Sequence, residues 1–266
     1  MDLSAYLEAD VGRGDLTTEL TVPDDDGSAY ITVEEDCIVA GMEEAETIFR
    51  LVGAQTDRLV VDGDRVKAGT RVMTIHGPLK GLITAERTAL NFLMHMSGIA
   101  TMTSEAVNAV DGKVIIAATR KTTPGFGDFQ KKAVKLGGGD PHRYALDSMI
   151  MIKDNHIAAC GSVRKAMERM SGASFAVKVE IEVQDIEDAV TAAEMGADII
   201  MADNMGPEET GRLRDRVKGI NPRVLVEASG NMDMEKLRLY AGKADIISMG
   251  CLTHSARSVQ FSMDIC

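Results

Sequence analysis

From about residue 106 onwards, short and nearly continuous apolar runs alternate with segments of helical spacing. Such runs lack the polar–apolar alternation of half-exposed strands, so they predict strands buried on both faces, as in parallel sheets. Repeated strand–helix–strand units of this kind fold into a barrel or a doubly wound sheet. The runs are Val114–Ala118, Met149–Ile152, Ala176–Val183, Asp198–Met201, Val224–Val226 and Asp245–Met249.

The residues at the ends of these runs favour a barrel. A doubly wound sheet gathers its site at one switch point, whereas a barrel gathers it from the carboxyl ends of many strands. At least five of the runs contain or lead into polar residues or glycine. Only six strands are clear, so we expect an incomplete barrel that is open on one side.

The preceding residues have a different organisation. We predict an N-terminal α/β domain over residues 1–105 and a barrel domain over residues 106–266. The elements expected in the first part are strands at Ser28–Val33, Arg58–Val61 and Thr70–Ile75, a helix at Glu43–Leu51, and a helix at Thr84–Ser97 that ends at Gly98.

Composition limits the partners and the compartment. A formal net charge of −12 argues against binding to nucleic acid or anionic membranes. The four cysteines form no C-x-x-C pair, which favours a reducing compartment. We find neither a signal peptide nor an apolar run long enough to span a membrane, so we expect a cytoplasmic protein.

Basic side chains cluster at the ends of the predicted strands of this acidic chain. Arg120 and Lys121 follow the first run, Lys153 follows the second, and His142 and Arg143 lie between them. Arginine binds carboxylate or phosphate through a planar fork, and lysine acts as a point charge, so this pattern predicts an anion site. Arg87, on the earlier helix, alone fits ordinary surface ion pairing better.

Two carboxylates lie on successive strands. Glu182 and Asp203 have the arrangement that suits Mg²⁺, which takes one or two carboxylates together with substrate phosphates. Glu180 has the same side-chain parity as Glu182, so strand alternation does not choose between them. A buried acid paired with a neighbouring base is an equally good interpretation.

Glycine and serine follow the last two strands. Ser229, Gly230 and Gly250 match the place where barrels bind phosphate through backbone N–H groups, although glycine there is also ordinary turn chemistry. His254 lies close to the same rim.

Taken together, these motifs resemble the quinolinate phosphoribosyltransferase (carboxylating nicotinate-nucleotide pyrophosphorylase) family. The similarity is collinear over almost the whole chain. It rests on G-R-G-D-L-T-T from Gly12, A-E-R-T-A-L-N-F-L from Ala85, T-R-K-T-T-P-G from Thr119, G-G-G-x-x-H-R from Gly137, I-K-D-N-H from Ile152, E-I-E-V from Glu180, A-D-N-M from Ala202, E-A-S-G from Glu227 and M-G-C-L-T-H-S from Met249.

The resemblance implies a small N-terminal α/β sandwich domain and an open, seven-stranded parallel (β/α) barrel, with the C-terminal segment packing back on the first domain. It also implies a homodimer, or a higher homo-oligomer built from dimers. The implied reaction converts quinolinate and phosphoribosyl pyrophosphate to nicotinate mononucleotide, CO₂ and pyrophosphate with Mg²⁺, as in de novo NAD synthesis.

The family's functional positions then imply a role for each matching residue. Arg120, His142, Arg143 and Lys153 would hold the two quinolinate carboxylates, and Arg87 would act across the dimer interface. Glu182 and Asp203 would hold the Mg²⁺ complex of phosphoribosyl pyrophosphate, directly or through substrate or water, and Lys121 would face its phosphates. Catalysis would fall to Lys121, Lys153, Glu182 and Asp203, and the remaining phosphate contacts would come from Ser229, Gly230, Gly250 and His254.

Two positions depart from the family pattern. Asn231 replaces a usual second glycine, and Gly127 replaces a larger, often basic residue. The alternatives are a nicotinate phosphoribosyltransferase or a ModD-like relative on the same scaffold, and a non-catalytic anion-binding protein. The several cations favour quinolinate over a base with one carboxylate.

Overall fold

The structure is a computed structural model that describes residues 2–266, apart from the side chain of Ser171. The described residues divide into two compact units: residues 2–104, 135–138 and 256–266 form the first, and residues 105–134 and 139–255 form the second. The domain limits expected from the sequence stay a prediction.

The elements before the barrel sheet are mixed. In chain order they are α1 (Ser4–Val11), α2 (Leu16–Thr21), β1 (Asp26–Val33), β2 (Cys37–Ile38), α3 (Met42–Leu51), β3 (Gln55–Arg58), β4 (Arg65–Val66), β5 (Arg71–Pro78) and α4 (Leu79–Ala109).

The elements that follow alternate strand and helix. They are β6 (Ile115–Ala117), α5 (Gly127–Leu136), β7 (Ile150–Ile152), α6 (Asp154–Cys160), α7 (Val163–Glu168), a 3₁₀ turn (Arg169–Gly172), β8 (Val179–Val183), α8 (Ile186–Glu194), β9 (Ile199–Asp203), α9 (Pro207–Ile220), β10 (Leu225–Ser229), α10 (Leu237–Tyr240), β11 (Ile246–Ser248), α11 (Cys251–His254) and β12 (Phe261–Ile265).

The first unit contains a four-stranded antiparallel sheet in the order β12-β1-β5-β3. The amphipathic helix α3 buries Met42, Ala45, Ile48 and Phe49 on one face. The strand predicted at Arg58–Val61 is wrong in position, because β3 ends at Arg58. Leu59 donates one more hydrogen bond, to the Val72 carbonyl of β5, and the chain then leaves the strand.

Gly98 does not end a helix. Helix α4 runs for 31 residues through this glycine. A Cβ atom at Gly98 would lie 2.1 Å from the carbonyl oxygen of Arg257, so glycine is required for close approach of two backbones rather than as a helix stop. The sequence interpretation was wrong because it assigned a packing residue to helix termination.

The second unit contains a six-stranded parallel sheet in the order β6-β11-β10-β9-β8-β7. Its strands are the six predicted apolar runs, and the open α/β barrel that the sequence predicts is confirmed. The seventh strand implied by the resemblance is reduced to one parallel bridge between Asp140 and Ala117, beside the edge strand β6.

Each strand of this sheet has two different faces. The outward side chains, such as Ile181 and Val226, pack with α7, α8 and α9 in an apolar core. The inward side chains include Glu180 of β8 and Glu227 of β10, and both are fully buried. Their carboxylates both meet His142, which lies just beyond the Asp140 bridge, so the sheet curves round to enclose these side chains.

Candidate functional site

A cavity of about 480 Å³ opens at the carboxyl ends of the parallel strands. The residues that line it come from every strand of the sheet or from the loops that follow. They are Ala118, Thr119, Arg120, Lys121, His142, Arg143, Met151, Lys153, Glu182, Met201, Asp203, Asn204, Glu227, Ser229 and Ser248.

The structure brings together eight of the twelve residues that the sequence places in the site. Arg120, Lys121, His142, Arg143, Lys153, Glu182, Asp203 and Ser229 all line this cavity. Gly230, Gly250 and His254 lie beside lining residues. Arg87 is exposed on α4 in the first unit, 3.9 Å from Glu86.

The cationic side chains crowd one another. Arg143 is partly buried, and this burial together with the nearby charge of Arg120 lowers the pKa of its guanidinium. Like charges held close in a cavity are stabilised by an anion that binds between them. The arrangement therefore favours a ligand that carries more than one negative charge.

Lys153 and Glu182 form an ion pair at the cavity wall. The Lys153 Nζ atom donates a hydrogen bond to Glu182 Oε2 at 2.7 Å. Lys153 follows β7, and Glu182 faces inwards from β8, so adjacent parallel strands place the two groups together. Asp203, the last residue of β9, accepts a hydrogen bond from the Asn204 side chain at 2.8 Å.

Glu180 and Glu182 lie at different depths along β8. This difference distinguishes two residues that strand alternation in the sequence leaves equivalent. Both side chains face inwards, but Glu182 lines the cavity and Glu180 lies deeper, fully buried. Burial raises the pKa of the Glu180 carboxyl; the nearby His142 ring opposes this rise, and the charge of Glu227 adds to it. Neither oxygen of Glu180 accepts a hydrogen bond within the described residues.

His142 bridges the buried carboxylates. Its Nε2 atom lies 3.4 Å from Glu180 Oε2 and 3.3 Å from Glu227 Oε2. Burial lowers the pKa of His142, but the two carboxylates outweigh this effect and raise it to about 10. The Arg143 backbone N–H donates to Nδ1 at 2.7 Å, which favours a neutral ring with its proton on Nε2. The Nε2–H faces the carboxylates in both forms, but only the neutral ring can accept the Arg143 N–H at Nδ1.

The glycines near the cavity permit close contacts. Gly230 has a φ of 107°, and a Cβ atom there would lie 2.2 Å from Asn204 Oδ1. A Cβ atom at Gly250 would lie 3.0 Å from His254 Nε2 and 3.2 Å from Lys121 Cδ. Gly250, His254 and Lys121 are therefore neighbours at the rim of the cavity.

The two departures from the family pattern have different structural settings. Asn231 has a φ of 47°, a left-handed conformation that asparagine tolerates better than most non-glycine residues. Gly127 begins α5 beside Thr122 and is absent from the lining of the described cavity.

The sequence analysis did not assign Glu227, Ser248 or Asn204 to the site. Ser248 is the last residue of β11, and its hydroxyl donates to Glu227 Oε1 at 2.6 Å. Ser248 lies within the run Asp245–Met249 and Glu227 directly follows the run Val224–Val226. A test of the side-chain parity of both positions would have placed them on the inward face.

The fold and the cavity define a class: an open parallel α/β barrel that gathers cations and carboxylates at the carboxyl ends of its strands. The model of the quinolinate phosphoribosyl transferase N-terminal domain matches residues 15–97, and that of the C-terminal domain matches residues 99–264. The chain belongs to the quinolinate phosphoribosyl transferase family.

Several relatives cover nearly all of the chain. A probable carboxylating nicotinate-nucleotide pyrophosphorylase of Methanothermobacter thermautotrophicus is 44% identical, over 97% of this chain and 96% of its own length. The human carboxylating nicotinate-nucleotide pyrophosphorylase is 39% identical, over 86% of this chain and 78% of its own length.

Solved structures agree with the fold. NadC from Streptococcus pyogenes superposes with a TM-score of 0.93 at 39% identity, covering 99% of this chain and 95% of its own. Nicotinate-nucleotide pyrophosphorylase from Francisella tularensis gives a TM-score of 0.94 at 32% identity, covering 99% and 94%.

Proposed function

We propose that the protein transfers a phosphoribosyl group from phosphoribosyl pyrophosphate to quinolinate and releases pyrophosphate and CO₂, giving nicotinate mononucleotide. The observation that carries this proposal is that one cavity brings together four cations with the carboxylates of Glu182 and Asp203; the cations are Arg120, Lys121, Arg143 and Lys153. A cavity of about 480 Å³ is within the usual range of small-molecule sites.

The quinolinate carboxylates would bind among the crowded cations. Arg120, Arg143 and Lys153 supply three positive charges, and His142 adds a fourth when it is protonated. Adjacent carboxylates on a pyridine ring repel each other, and guanidinium forks match their geometry. A base with one carboxylate would leave more of this positive charge uncompensated.

Phosphoribosyl pyrophosphate would occupy the rim formed by the last strands. Lys121 would face its phosphates, with Ser229, Gly230, Gly250 and His254 as neighbouring contacts. The closeness of Gly250 to His254 and Lys121 supports this grouping, because one phosphate can then meet a cation and backbone N–H groups together.

The carboxylates of Glu182 and Asp203 fit a magnesium ion that arrives with the substrate. Among the described residues, neither belongs to a cluster of three metal-binding side chains. Mg²⁺ characteristically uses one or two carboxylates together with phosphate oxygens and water, so a two-carboxylate site suits it. When bound, the ion would neutralise charge on the departing pyrophosphate.

The reaction proceeds by substitution at the ribose. The pyridine nitrogen of quinolinate forms a bond to the anomeric carbon as the bond to pyrophosphate breaks. The transition state has oxocarbenium character, which Glu182 and Asp203 stabilise, while Lys121 stabilises the leaving oxygens. The carbon–carbon bond to the 2-carboxylate then breaks, CO₂ leaves, and the electron pair on the ring carbon takes up a proton.

We also propose a cytoplasmic homodimer, or a higher oligomer of dimers, in which Arg87 reaches the site of the partner subunit. The exposure of the Arg87 side chain, 59%, leaves it available for such a contact. The four free cysteines support a reducing compartment. No helix within residues 2–266 is long and apolar enough to cross a bilayer.

The test is product release from purified protein supplied with Mg²⁺ and phosphoribosyl pyrophosphate, with quinolinate compared against nicotinate. We expect equimolar CO₂ and pyrophosphate with quinolinate and little turnover of nicotinate. Pyrophosphate release from nicotinate without CO₂ would instead assign the chain to the nicotinate-using alternative. No pyrophosphate release from either base would support a non-catalytic anion-binding protein.

A further inference from the structure

The buried carboxylates of Glu180 and Glu227 have no part in the proposed reaction. Both side chains are buried, with Glu227 in the wall of the carboxyl-end cavity and Glu180 deeper, outside its lining. They come from β8 and β10, which are separated in the sheet by β9, and both converge on the His142 ring. Buried acids that meet one histidine from two strands fix the position of that histidine.

The His142 ring has a protein partner at both nitrogens. Nε2 faces the two glutamates, and Nδ1 accepts the Arg143 backbone N–H. A quinolinate carboxylate would have to displace one of these partners to bind the ring directly. The other residues assigned to the quinolinate carboxylates are Arg120, Arg143 and Lys153. None of these three is held between two buried glutamates.

The backbone at His142 is also unusual. Its φ is 54°, in the left-handed region that costs free energy for residues other than glycine. The His142 N–H donates to Asp140 Oδ1 at 2.6 Å, and the Asp140 N–H donates to the Ile116 carbonyl at 2.8 Å. The next residue, Arg143, extends from this constrained turn into the cavity.

We propose that Glu180 and Glu227 are positioning residues, which clamp the His142 ring inside the barrel and thereby direct Arg143 towards the carboxylates of the substrate. Ser248 completes the clamp, because its hydroxyl occupies the second oxygen of Glu227. This inference rests on the proposed function for the identity of the anion, and it changes the role of His142 from substrate contact to support.

A bound metal is the other interpretation of this cluster. His142, Glu180 and Glu227 place three ligand atoms within 4.8 Å of one another. The His142–Glu227 separation suits a hydrogen bond and the His142–Glu180 separation an ion pair, and Glu227 already accepts a hydrogen bond from Ser248. Stoichiometric transition metal in protein purified without added metal would overturn the positioning role.

The main test is a double-mutant cycle on quinolinate affinity, measured by calorimetry. We expect Glu227→Ala to weaken quinolinate binding about tenfold, a coupling typical of residues in one hydrogen-bonded network. Phosphoribosyl pyrophosphate affinity should change less than about twofold, since Arg143 does not face it. In an Arg143→Ala background the same change should have almost no further effect. Full additivity of the two losses would overturn the proposal.

Conservative variants separate position from loss of fold. Glu227→Gln retains the acceptor for Nε2–H, and Glu180→Gln keeps a polar oxygen beside the ring, so both should keep quinolinate affinity within about threefold of wild type. Glu194→Gln, an exposed change on α8, is the matched charge control. A glutamine variant as damaging as alanine, with an unchanged melting temperature, would contradict a clamp made by hydrogen bonding.

Nitrogen-15 spectra of the histidine rings give a readout that does not depend on turnover. We expect the His142 signals to change in Glu227→Gln and to stay unchanged when quinolinate is added to wild type. A quinolinate-induced shift of the Nε2 signal would show direct contact and overturn the proposal. Absence of quinolinate binding to wild type would instead refute the proposed function, and the ligand-free spectra would still test the clamp.

Discussion

The two ends of the parallel barrel have cavities of similar size and different chemistry. The cavity at the carboxyl ends measures about 480 Å³ and is lined by cations and carboxylates, whereas the cavity at the amino ends measures about 460 Å³. The first residues of four strands line the second cavity, Ile115, Ile199, Leu225 and Ile246, together with polar residues that include Asp140 and Lys178. The same strands therefore carry apolar residues where they begin and charged residues where they end.

This difference shows that the anion site does not follow from overall charge. The chain has a net charge of −12, yet its carboxyl-end cavity is rich in arginine and lysine. Strand direction in a parallel sheet brings every carboxyl end to one side, so short sequence motifs far apart in the chain combine there. His142 and Arg143 line both cavities and mark the boundary between the two chemistries.

The largest expected effect is that of removing a carboxylate from the cavity at the carboxyl ends of the strands. Glu182→Gln should lower turnover by about 10² to 10³-fold, since electrostatic stabilisation of the transition state is lost. Quinolinate affinity should remain within about threefold, because glutamine keeps an acceptor for Lys153. Single-turnover kinetics and calorimetry check the two parts. Wild-type turnover in Glu182→Gln would mean that another carboxylate holds the metal ion and stabilises the ribose in the transition state.

Removing the Arg143 guanidinium, which lines both cavities, should mainly affect the binding of quinolinate. Arg143→Ala should weaken quinolinate binding by about a hundredfold, as expected for loss of a charge-assisted, bidentate contact. Phosphoribosyl pyrophosphate binding should change by less than about threefold. Calorimetric titration of each substrate distinguishes these outcomes, and equal losses would contradict the assignment of Arg143 to the carboxylates.

Lys131 is buried next to Pro141, just before His142 in the chain, and its charge gives a pH-dependent prediction. Burial lowers the pKa of Lys131 from 10.5 to about 8, while its Nζ atom donates to the Pro141 carbonyl. The unfolded state therefore retains this proton to higher pH, and Lys131 contributes more stability as pH rises from 8 towards 10.5. Relative to Lys131→Met, wild type should gain about 2 kcal/mol between about pH 7 and 9.5.

Urea unfolding of both proteins across this range measures that gain. Using the difference between the two proteins cancels the contributions of all other titrating groups that the substitution leaves unchanged. A constant difference would mean that Lys131 titrates with an ordinary pKa in the folded protein.

The smallest effect should come from the apolar end. Ile246→Val removes one buried methyl group from the amino-end cavity and should cost about 1 kcal/mol of stability. Affinity for both substrates should stay within about twofold, since no charged group of the other cavity moves. A marked loss of quinolinate affinity, measured by calorimetry, would show that the two ends are coupled.

The sequence predicts the barrel well because each of its strands is a local apolar pattern. The charged residues at the strand ends are equally visible, since a short motif contains both the strand and its terminal side chains. The clamp around His142 is different: residues 142, 180 and 227 contact one another only after the sheet curves. Periodicity within one strand carries no information about that contact.

Gly98 and β3 show the limits of local signals in the first unit. A glycine in a helical pattern has the same sequence appearance whether it ends the helix or admits another backbone. Only the position of Arg257, which lies far away in the chain, distinguishes the two. For β3, the apolar Leu59 and Val61 attract a strand prediction, although both side chains are exposed.

The pairing of β12 with β1 has a consequence for biosynthesis. Residues 261–265 bond to residues 29–33, so an edge strand of the first sheet is made after the whole barrel has been translated. Domains generally fold from the N-terminus during synthesis, but here the emerging sheet leaves β1 without its final neighbour. The ribosome-bound chain therefore leaves the β1 edge unpaired until residues 261–265 have left the ribosome, and an unpaired edge can pair with strands of other chains.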